Sequence, residues 1–201
     1  QVLIEEFGLD SSKVNWIVDD EEHVTELTLP SNVDRAPEGT SLADMMASSE
    51  LAAGFSGNAG VGRSGSPTAG SWKEVEAHYP DLLPNAVELE AEYFKHTGIY
   101  PMHGTVVMKE SVYRQNPWVA KSLFDAFSKA HNQWLPTLDA SMDASDRKYA
   151  DLRRIVGRDP LPYGIEANLP TIRALEETAF KQGLTTKRMS VEEMFIDPEA
   201  L

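Results

Sequence analysis

The strongest pattern in the chain is an apolar stripe between residues 116 and 134. An Asn116-Pro117 pair precedes it, and asparagine followed by proline is typical of the N-cap and first position of a helix. Apolar residues then recur every three or four positions, as on one face of an amphipathic helix. We predict a long helix whose apolar face is either core or left bare by a missing part of the fold. The face consists of Val119, Leu123, Phe127, Ala130 and Trp134.

Helix-capping residues, prolines and glycines indicate where the other helices begin and end. Ser41 with Asp44, and Ser190 with Glu193, have the spacing of capping boxes, in which each side chain bonds to the backbone N–H of the other residue. Proline favours a helix start, and glycine favours a helix end. We predict helices that end at Gly8, follow Ser41, cover 88–96 before Gly98, cover 139–156, run from Pro170 to Gly183, and follow Ser190.

Short runs of apolar, β-branched and aromatic residues indicate strands. They cover 14–18, 51–55 and 105–108, with an edge strand within 24–29. Strands alternate with helices in the first third of the chain, and the remainder is rich in helices. This order predicts an α/β fold with a βαβ-type sheet and later helices that wrap back over it. The composition changes near residues 92–101, which predicts two parts, 1–97 and 98–201.

Composition narrows the classes of partner. Acidic residues outnumber basic ones by 32 to 18, for a net charge of −14. We therefore expect no nucleic acid, because phosphate binding needs clustered lysine and arginine. No apolar run approaches the roughly 20 residues of a membrane-spanning helix. With no cysteine, and no metal-like spacing of the histidines, we expect no metal and no cofactor.

Four stretches of the chain carry a resemblance to a known family. They are Leu42-Ala-Asp-Met-Met-Ala-Ser-Ser-Glu-Leu-Ala-Ala, His96-Thr-Gly-Ile-Tyr-Pro-Met-His-Gly-Thr-Val-Val-Met-Lys with Asn116-Pro-Trp-Val-Ala-Lys-Ser-Leu-Phe-Asp-Ala-Phe, Pro162-Tyr-Gly-Ile-Glu-Ala-Asn, and Ser190-Val-Glu-Glu-Met-Phe. Together they resemble the 4,5-dihydroxyphthalate decarboxylase family. The chain opens without methionine, on a sequence typical of a helix interior, so we expect its natural N-terminus to lie upstream.

The resemblance implies a type II periplasmic-binding-protein fold, an α/β architecture with the ligand in a cleft between two lobes. Residues 1–97 would form one complete lobe, lobe two, with a flexible Gly/Ser loop at about 56–71. Residues 98–201 would form the hinge return strand and the C-terminal helices of lobe one, whose first part is missing. A bare apolar helical face would follow, unless a second copy covers it in a homo-oligomer.

The activity that the resemblance implies is decarboxylation of a dihydroxylated aromatic dicarboxylate, so the partner would be a small anionic aromatic ligand. The alternative is a solute-binding protein of an ABC-type importer, with the same cleft and no catalysis. A third possibility is an assembly domain that pairs through its bare face. An enzyme would be cytoplasmic, and a solute receptor would be periplasmic or otherwise extracytoplasmic.

A glycine-rich loop offers one candidate wall of the cleft. Residues 60–65 match the dinucleotide-binding pattern G-x-G-x-x-G, but the following Ser66-Pro67 cannot continue as the helix that such a site requires. A loop after a strand still lies where open α/β sheets bind ligands. Ser56, Asn58 and Arg63 are therefore candidate carboxylate ligands, with Arg63 bidentate. The alternative is a solvated loop.

The remaining candidates are a histidine and three residues of a proline-rich loop. In the implied fold His103 lies beside the hinge, where it could protonate the ring carbon that loses carbon dioxide; alternatively it is structural. Tyr163, Glu166 and Asn168 are candidate site residues because such loops often carry function. Glu166 would be a proton relay or a hydroxyl acceptor, since a carboxylate repels a dicarboxylate. Alternatively, Tyr163 only packs and Asn168 caps the following helix.

Overall fold

The structure, a computed structural model, describes residues 2–19, 28–55, 79–100, 102, 104–157 and 159–200. The chain divides into two units, Gln1–Pro84 and Asn85–Leu201. The assignment of residues 1–97 and 98–201 to two lobes stays a prediction.

The first unit contains two short parallel strands. They are β1 (Trp16–Val18) and β2 (Val33–Arg35), paired with Trp16 opposite Val33. The Asn32 side chain supports the pair, because its Nδ2 donates to the carbonyl oxygens of Ser11 at 3.0 Å and Val14 at 2.9 Å. The first strand lies within the predicted strand 14–18, whereas no strand was predicted at 33–35. The type II binding-protein fold itself stays a prediction.

Two helices of this unit begin or end as their local sequence predicts. Helix α1 (Val2–Glu5) precedes Gly8, whose φ of 65° is the left-handed conformation that glycine adopts readily. Helix α2 (Leu42–Ala47) begins with the predicted capping box of Ser41 and Asp44. Asp19, which follows β1, also accepts a hydrogen bond from the N–H of Leu42 at 3.0 Å. The start of α2 is therefore tied to the end of a strand.

Two predicted strands are not strands in the structure. Residues 51–55 and 105–108 are irregular, and the exposed fractions of Phe55, Val106 and Val107 are 78%, 68% and 88%. A strand requires a neighbouring backbone to accept and donate hydrogen bonds. Residues 105–108 form no backbone hydrogen bond to another described residue. The edge strand predicted within 24–29 falls mostly outside the described residues.

The second unit is helical. Helix α3 ends at Gly98, whose φ is 67°, and the capping box of Ser190 and Glu193 begins α8, both as predicted. Short 3-10 turns cover Leu135–Ala140 and Pro198–Ala200. The helices are α3 (Ala86–Thr97), α4 (Glu110–Gln115), α5 (Trp118–Trp134), α6 (Ala144–Val156), α7 (Ile165–Lys181) and α8 (Val191–Met194).

Helix α5 has the predicted length, but much of its predicted apolar stripe faces solvent. Leu123 is 37% exposed and Phe127 is 45% exposed, whereas His131 is buried. The side turned inward carries Phe124, Ser128 and His131, at spacings of four and three. The stripe was predicted to be either core or a bare face. Leu123 and Phe127 are exposed, so at these two positions it is not core.

Three helix starts differ from the prediction. Asn116 does not cap α5 through its side chain, because it lies at the C-terminal end of α4. Helix α6 starts at Ala144, where Asp143 accepts hydrogen bonds from the N–H groups of the first turn. Helix α7 starts at Ile165 and contains Pro170 in its interior. The prediction that the helix begins at Pro170 was wrong, because the helix already begins at Ile165, after its N-cap Gly164.

The core of the second unit lies around the middle of α7. Ile172 is 3% exposed and Leu138 is 1% exposed. The neighbouring Thr171 Oγ1 accepts from the N–H of Tyr100 at 3.0 Å and donates to the carbonyl oxygen of Tyr100 at 2.7 Å. This pair of bonds holds the segment after α3 against α7. Among the described residues, no helix combines the length and apolar composition of a membrane span.

Candidate functional site

The described residues include three of the seven predicted site residues. Tyr163, Glu166 and Asn168 lie at or near the start of α7. The other four, and the glycine-rich pattern at 60–65, lie outside the described residues, so their roles stay predictions. These four are Ser56, Asn58, Arg63 and His103.

The loop that leads into α7 contains a buried proline and a glycine with positive φ. It is defined here as the 159–164 loop. Pro160 is almost fully buried, and Gly164 is the N-cap of α7 with φ 94° and ψ 161°. A side chain at Gly164 would place its Cβ 3.3 Å from Glu199 Oε2, tighter than ordinary contact. Glycine is therefore needed here for its backbone conformation, whereas the exposed Glu199 side chain can move away from an added Cβ.

Asn168 holds the same loop from inside the helix. Its Nδ2 donates to the carbonyl oxygens of Pro162 at 2.7 Å and Gly164 at 2.8 Å. An amide nitrogen has two hydrogens, so both donors are used. Asn168 is not the cap of α7, which is Gly164. Only the Oδ1 atom of Asn168 is left to contact a ligand, and such a contact stays a prediction.

Tyr163 is packed on one side and exposed on the other. Its ring centroid lies 4.8 Å from that of His131, with 33° between the ring planes. The residue remains 46% exposed. Its hydroxyl forms no hydrogen bond with another described residue. Packing and ligand binding are therefore compatible roles for this side chain.

His131 and Asp159 form a contact that the sequence analysis missed. His131 Nε2 lies 3.1 Å from Asp159 Oδ1, and the side chains are 6% and 28% exposed. The same Oδ1 accepts a hydrogen bond from the N–H of Leu161 at 2.9 Å. The sequence signal was weak, because the two residues are 28 positions apart. The spacing of His131 from Phe124 and Ser128 was the available indication that it faces inward.

Glu166 lines a cavity of about 520 Å³. The first turns of α7, helix α8 and the C-terminal turn form its wall. Apolar side chains alternate there with carboxylates. The lining residues are Ile165, Glu166, Leu169, Arg173, Val191, Glu192, Asp197, Glu199 and Ala200.

The charge of this cavity favours cations over anions. Four carboxylates and one guanidinium, that of Arg173, line it. The pKa of Glu192 lies below its ordinary value because its carboxylate accepts hydrogen bonds, first from its own backbone N–H and then from Ser190, and because Arg173 lies nearby. A dicarboxylate would meet net repulsion here. Glu166 therefore suits a proton relay better than an anion contact.

Within the described ranges, no three metal-ligating side chains come together as a metal site. The start of α7 offers two reactive side chains. Tyr163 offers a hydroxyl and an exposed ring face, and Glu166 offers a carboxylate. Neither group bonds to another described side chain through these atoms.

No family model matches the chain. It is similar to a curated protein of Comamonas testosteroni named 4,5-dihydroxyphthalate decarboxylase, at 23% identity over 206 aligned positions. The alignment covers 96% of this chain and 60% of that protein. The chain thus spans about three fifths of the length of its relative. At this distance the similarity supports a related family.

Proposed function

We propose that this chain belongs to an enzyme that decarboxylates a dihydroxylated aromatic dicarboxylate of the 4,5-dihydroxyphthalate type. The observation that carries the proposal is the similarity to a protein of that name over 96% of the chain. The chain spans 60% of that relative, so the activity of the whole protein is part of the proposal. We further propose a cytoplasmic protein with a type II binding-protein fold.

The reaction requires a proton donor at one ring carbon. The bond between the ring and one carboxylate breaks, carbon dioxide leaves, and the electron pair stays on the ring carbon until a proton is added. The ring hydroxyls help to delocalise this charge. In the proposal Arg63, with Ser56 and Asn58, holds a carboxylate of the substrate, and His103 supplies the proton.

The start of α7 would contribute in two ways. Tyr163 presents a hydroxyl and an exposed ring face, which suit a carboxylate and an aromatic ring. Glu166 is proposed as a proton relay or as the acceptor of a ring hydroxyl proton. The acidic cavity beside Glu166 is not proposed as the pocket for the dianion, because its carboxylates would repel it.

The test uses the longest natural polypeptide that contains this sequence. It is incubated with 4,5-dihydroxyphthalate, and the release of carbon dioxide and the formation of 3,4-dihydroxybenzoate are followed. We expect both products in equal amounts, and strongly reduced turnover in His103→Ala. Unsubstituted phthalate is the matched control, because it keeps both carboxylates and lacks the ring hydroxyls.

The outcomes separate the alternatives. Binding of 4,5-dihydroxyphthalate without carbon dioxide release would contradict the enzyme and favour a solute-binding protein of an ABC-type importer. Unchanged turnover in His103→Ala would remove His103 from the mechanism while leaving the activity in place. If the protein neither binds 4,5-dihydroxyphthalate nor releases carbon dioxide from it, the proposed substrate class is rejected.

A further inference from the structure

We propose that His131 is a positioning residue for Tyr163, and that it holds the exposed ring face and hydroxyl of this tyrosine ready for an aromatic carboxylate ligand. The inference rests on the proposed function for the identity of that ligand. The geometric part, that His131 fixes the Tyr163 ring, does not depend on it. His131 would not contact the ligand.

The first contact is between the two rings. The centroids of His131 and Tyr163 are 4.8 Å apart, within the range of offset aromatic stacking. His131 is 8% exposed and Tyr163 is 46% exposed. The buried ring therefore supports the inner side of the partly exposed one.

The second contact joins His131 to the loop that carries Tyr163. An ionised carboxylate only accepts hydrogen bonds, so the 3.1 Å contact places a proton on His131 Nε2 that is donated to Asp159 Oδ1. Leu161 donates its N–H to the same oxygen at 2.9 Å. One carboxylate oxygen thus connects α5 with two positions of the 159–164 loop.

A third attachment lies on the other side of the tyrosine. Asn168 donates to the carbonyl oxygens of Pro162 and Gly164, the residues before and after Tyr163. The backbone around Tyr163 is therefore held from α7, and its ring is held from α5. A side chain ordered before binding loses less entropy when a ligand arrives.

Histidine suits this position because the two contacts need different properties. Stacking needs a flat ring, and the bond to Asp159 needs a donor on that ring. His131→Phe keeps a ring and loses the donor, whereas His131→Gln keeps a donor and loses the ring. The two substitutions therefore separate the contacts.

The ligand-free test is the NMR signal of the Tyr163 ring in protein with labelled tyrosine. Tyr163→Phe assigns the signal. We expect His131→Gln to move it toward the value of an unpacked tyrosine, because the shielding by the imidazole is lost. A smaller shift is expected in His131→Phe. An unmoved signal in a folded His131→Gln protein would overturn the proposal. Asp159→Ala repeats the test with both rings in place, because it removes the acceptor of the His131 hydrogen bond, and we expect it to move the signal in the same direction.

The functional test is a double-mutant cycle on the natural full-length protein with 4,5-dihydroxyphthalate. We expect His131→Gln to raise KM about 5- to 50-fold, and to change it little in a Tyr163→Ala background, because residues that act as a unit are not additive. Additive effects with intact turnover would overturn the positioning role and leave the proposed function standing. If the unmodified protein neither binds nor turns over this compound, the proposed function fails and the NMR signal still decides the positioning role.

Discussion

Arg188 binds Glu176 through both carboxylate oxygens, with its Nε 2.7 Å from each. The N–H of Met189 also donates to Glu176 at 2.9 Å. The Glu176 side chain is 8% exposed, whereas the Arg188 side chain is 57% exposed, so water reaches the pair from the arginine side. The pair ties the chain after α7 back onto the helix. Hydrogen bonds from Arg188 and then Met189 hold the pKa of Glu176 below its ordinary value, and Glu176 raises the pKa of Arg188.

The lowered pKa predicts how the stability depends on pH. Folded Glu176 loses its proton more readily than an ordinary glutamate of pKa 4.5, so the unfolded chain binds more protons. The stabilisation is therefore complete above pH 4.5 and is lost as pH falls through the lower folded pKa. We expect Glu176→Gln to lower Tm at pH 7, and this deficit to shrink below pH 4.5. Thermal unfolding followed by circular dichroism across this pH range checks it.

The matched control for Glu176 is Glu90→Gln. Glu90 is exposed on α3 and forms no ion pair or hydrogen bond with another described residue. The same chemical change should leave Tm almost unchanged at every pH. A Glu176→Gln deficit that does not vary with pH would show that the carboxylate charge is not the source of the stabilisation.

A side chain at Gly164 should destabilise the second unit. Its φ of 94° is unfavourable for an L-residue, whatever the space around the added Cβ. We expect Gly164→Ala to lower the free energy of unfolding by about 1–2 kcal/mol, measured by urea unfolding. Gly104→Ala is the control, because no described residue lies within 4 Å of its Cβ position. An equal loss at both positions would contradict the conformational argument.

Asn168→Asp should loosen the 159–164 loop. Aspartate has nearly the same shape but lacks the N–H groups that reach Pro162 and Gly164. We expect the free energy of unfolding to fall by about 1–3 kcal/mol, since two part-buried hydrogen bonds are lost. Asn132→Asp makes the same change at an exposed position of α5. If the two variants unfold alike in urea, the side-chain clamp contributes no stability.

Ser128→Ala should not destabilise the protein. The Oγ atom of Ser128 is buried and has no hydrogen-bond partner in the described part of the chain. Removing an unsatisfied buried hydroxyl is expected to leave the free energy of unfolding unchanged or to raise it by up to about 1 kcal/mol. Ser122→Ala, on the exposed side of α5, is the control. A clear loss of stability in Ser128→Ala alone would reveal a partner for this hydroxyl.

The two sides of α5 should respond differently to polar substitution. Leu123 and Phe127 are exposed, whereas Phe124 lies on the inward side. Leu123→Gln with Phe127→Gln should change the free energy of unfolding by less than about 0.5 kcal/mol each, while lowering the binding of a hydrophobic dye. Phe124→Gln should lower the free energy of unfolding clearly. If Leu123→Gln and Phe127→Gln lower the free energy of unfolding more than Phe124→Gln does, the predicted stripe is core.

The sequence by itself determined features whose partners are close along the chain. The capping boxes of Ser41 with Asp44 and of Ser190 with Glu193 each join residues three positions apart. The left-handed Gly98 ends its helix because glycine alone adopts that conformation without cost. The helical periodicity of 116–134 likewise predicted α5, since a helix is defined by local spacing.

Tertiary structure decided the features whose partners are far apart. Thr105–Met108 has strand-forming residues, yet a strand also requires a neighbouring backbone, and no described residue provides one. Periodicity predicted an apolar face on α5, but contacts with later segments decided which side is buried. The contact of His131 with Asp159 joins residues 28 positions apart. No local pattern specifies such a pair, because folding brings the two residues together only when distant helices pack.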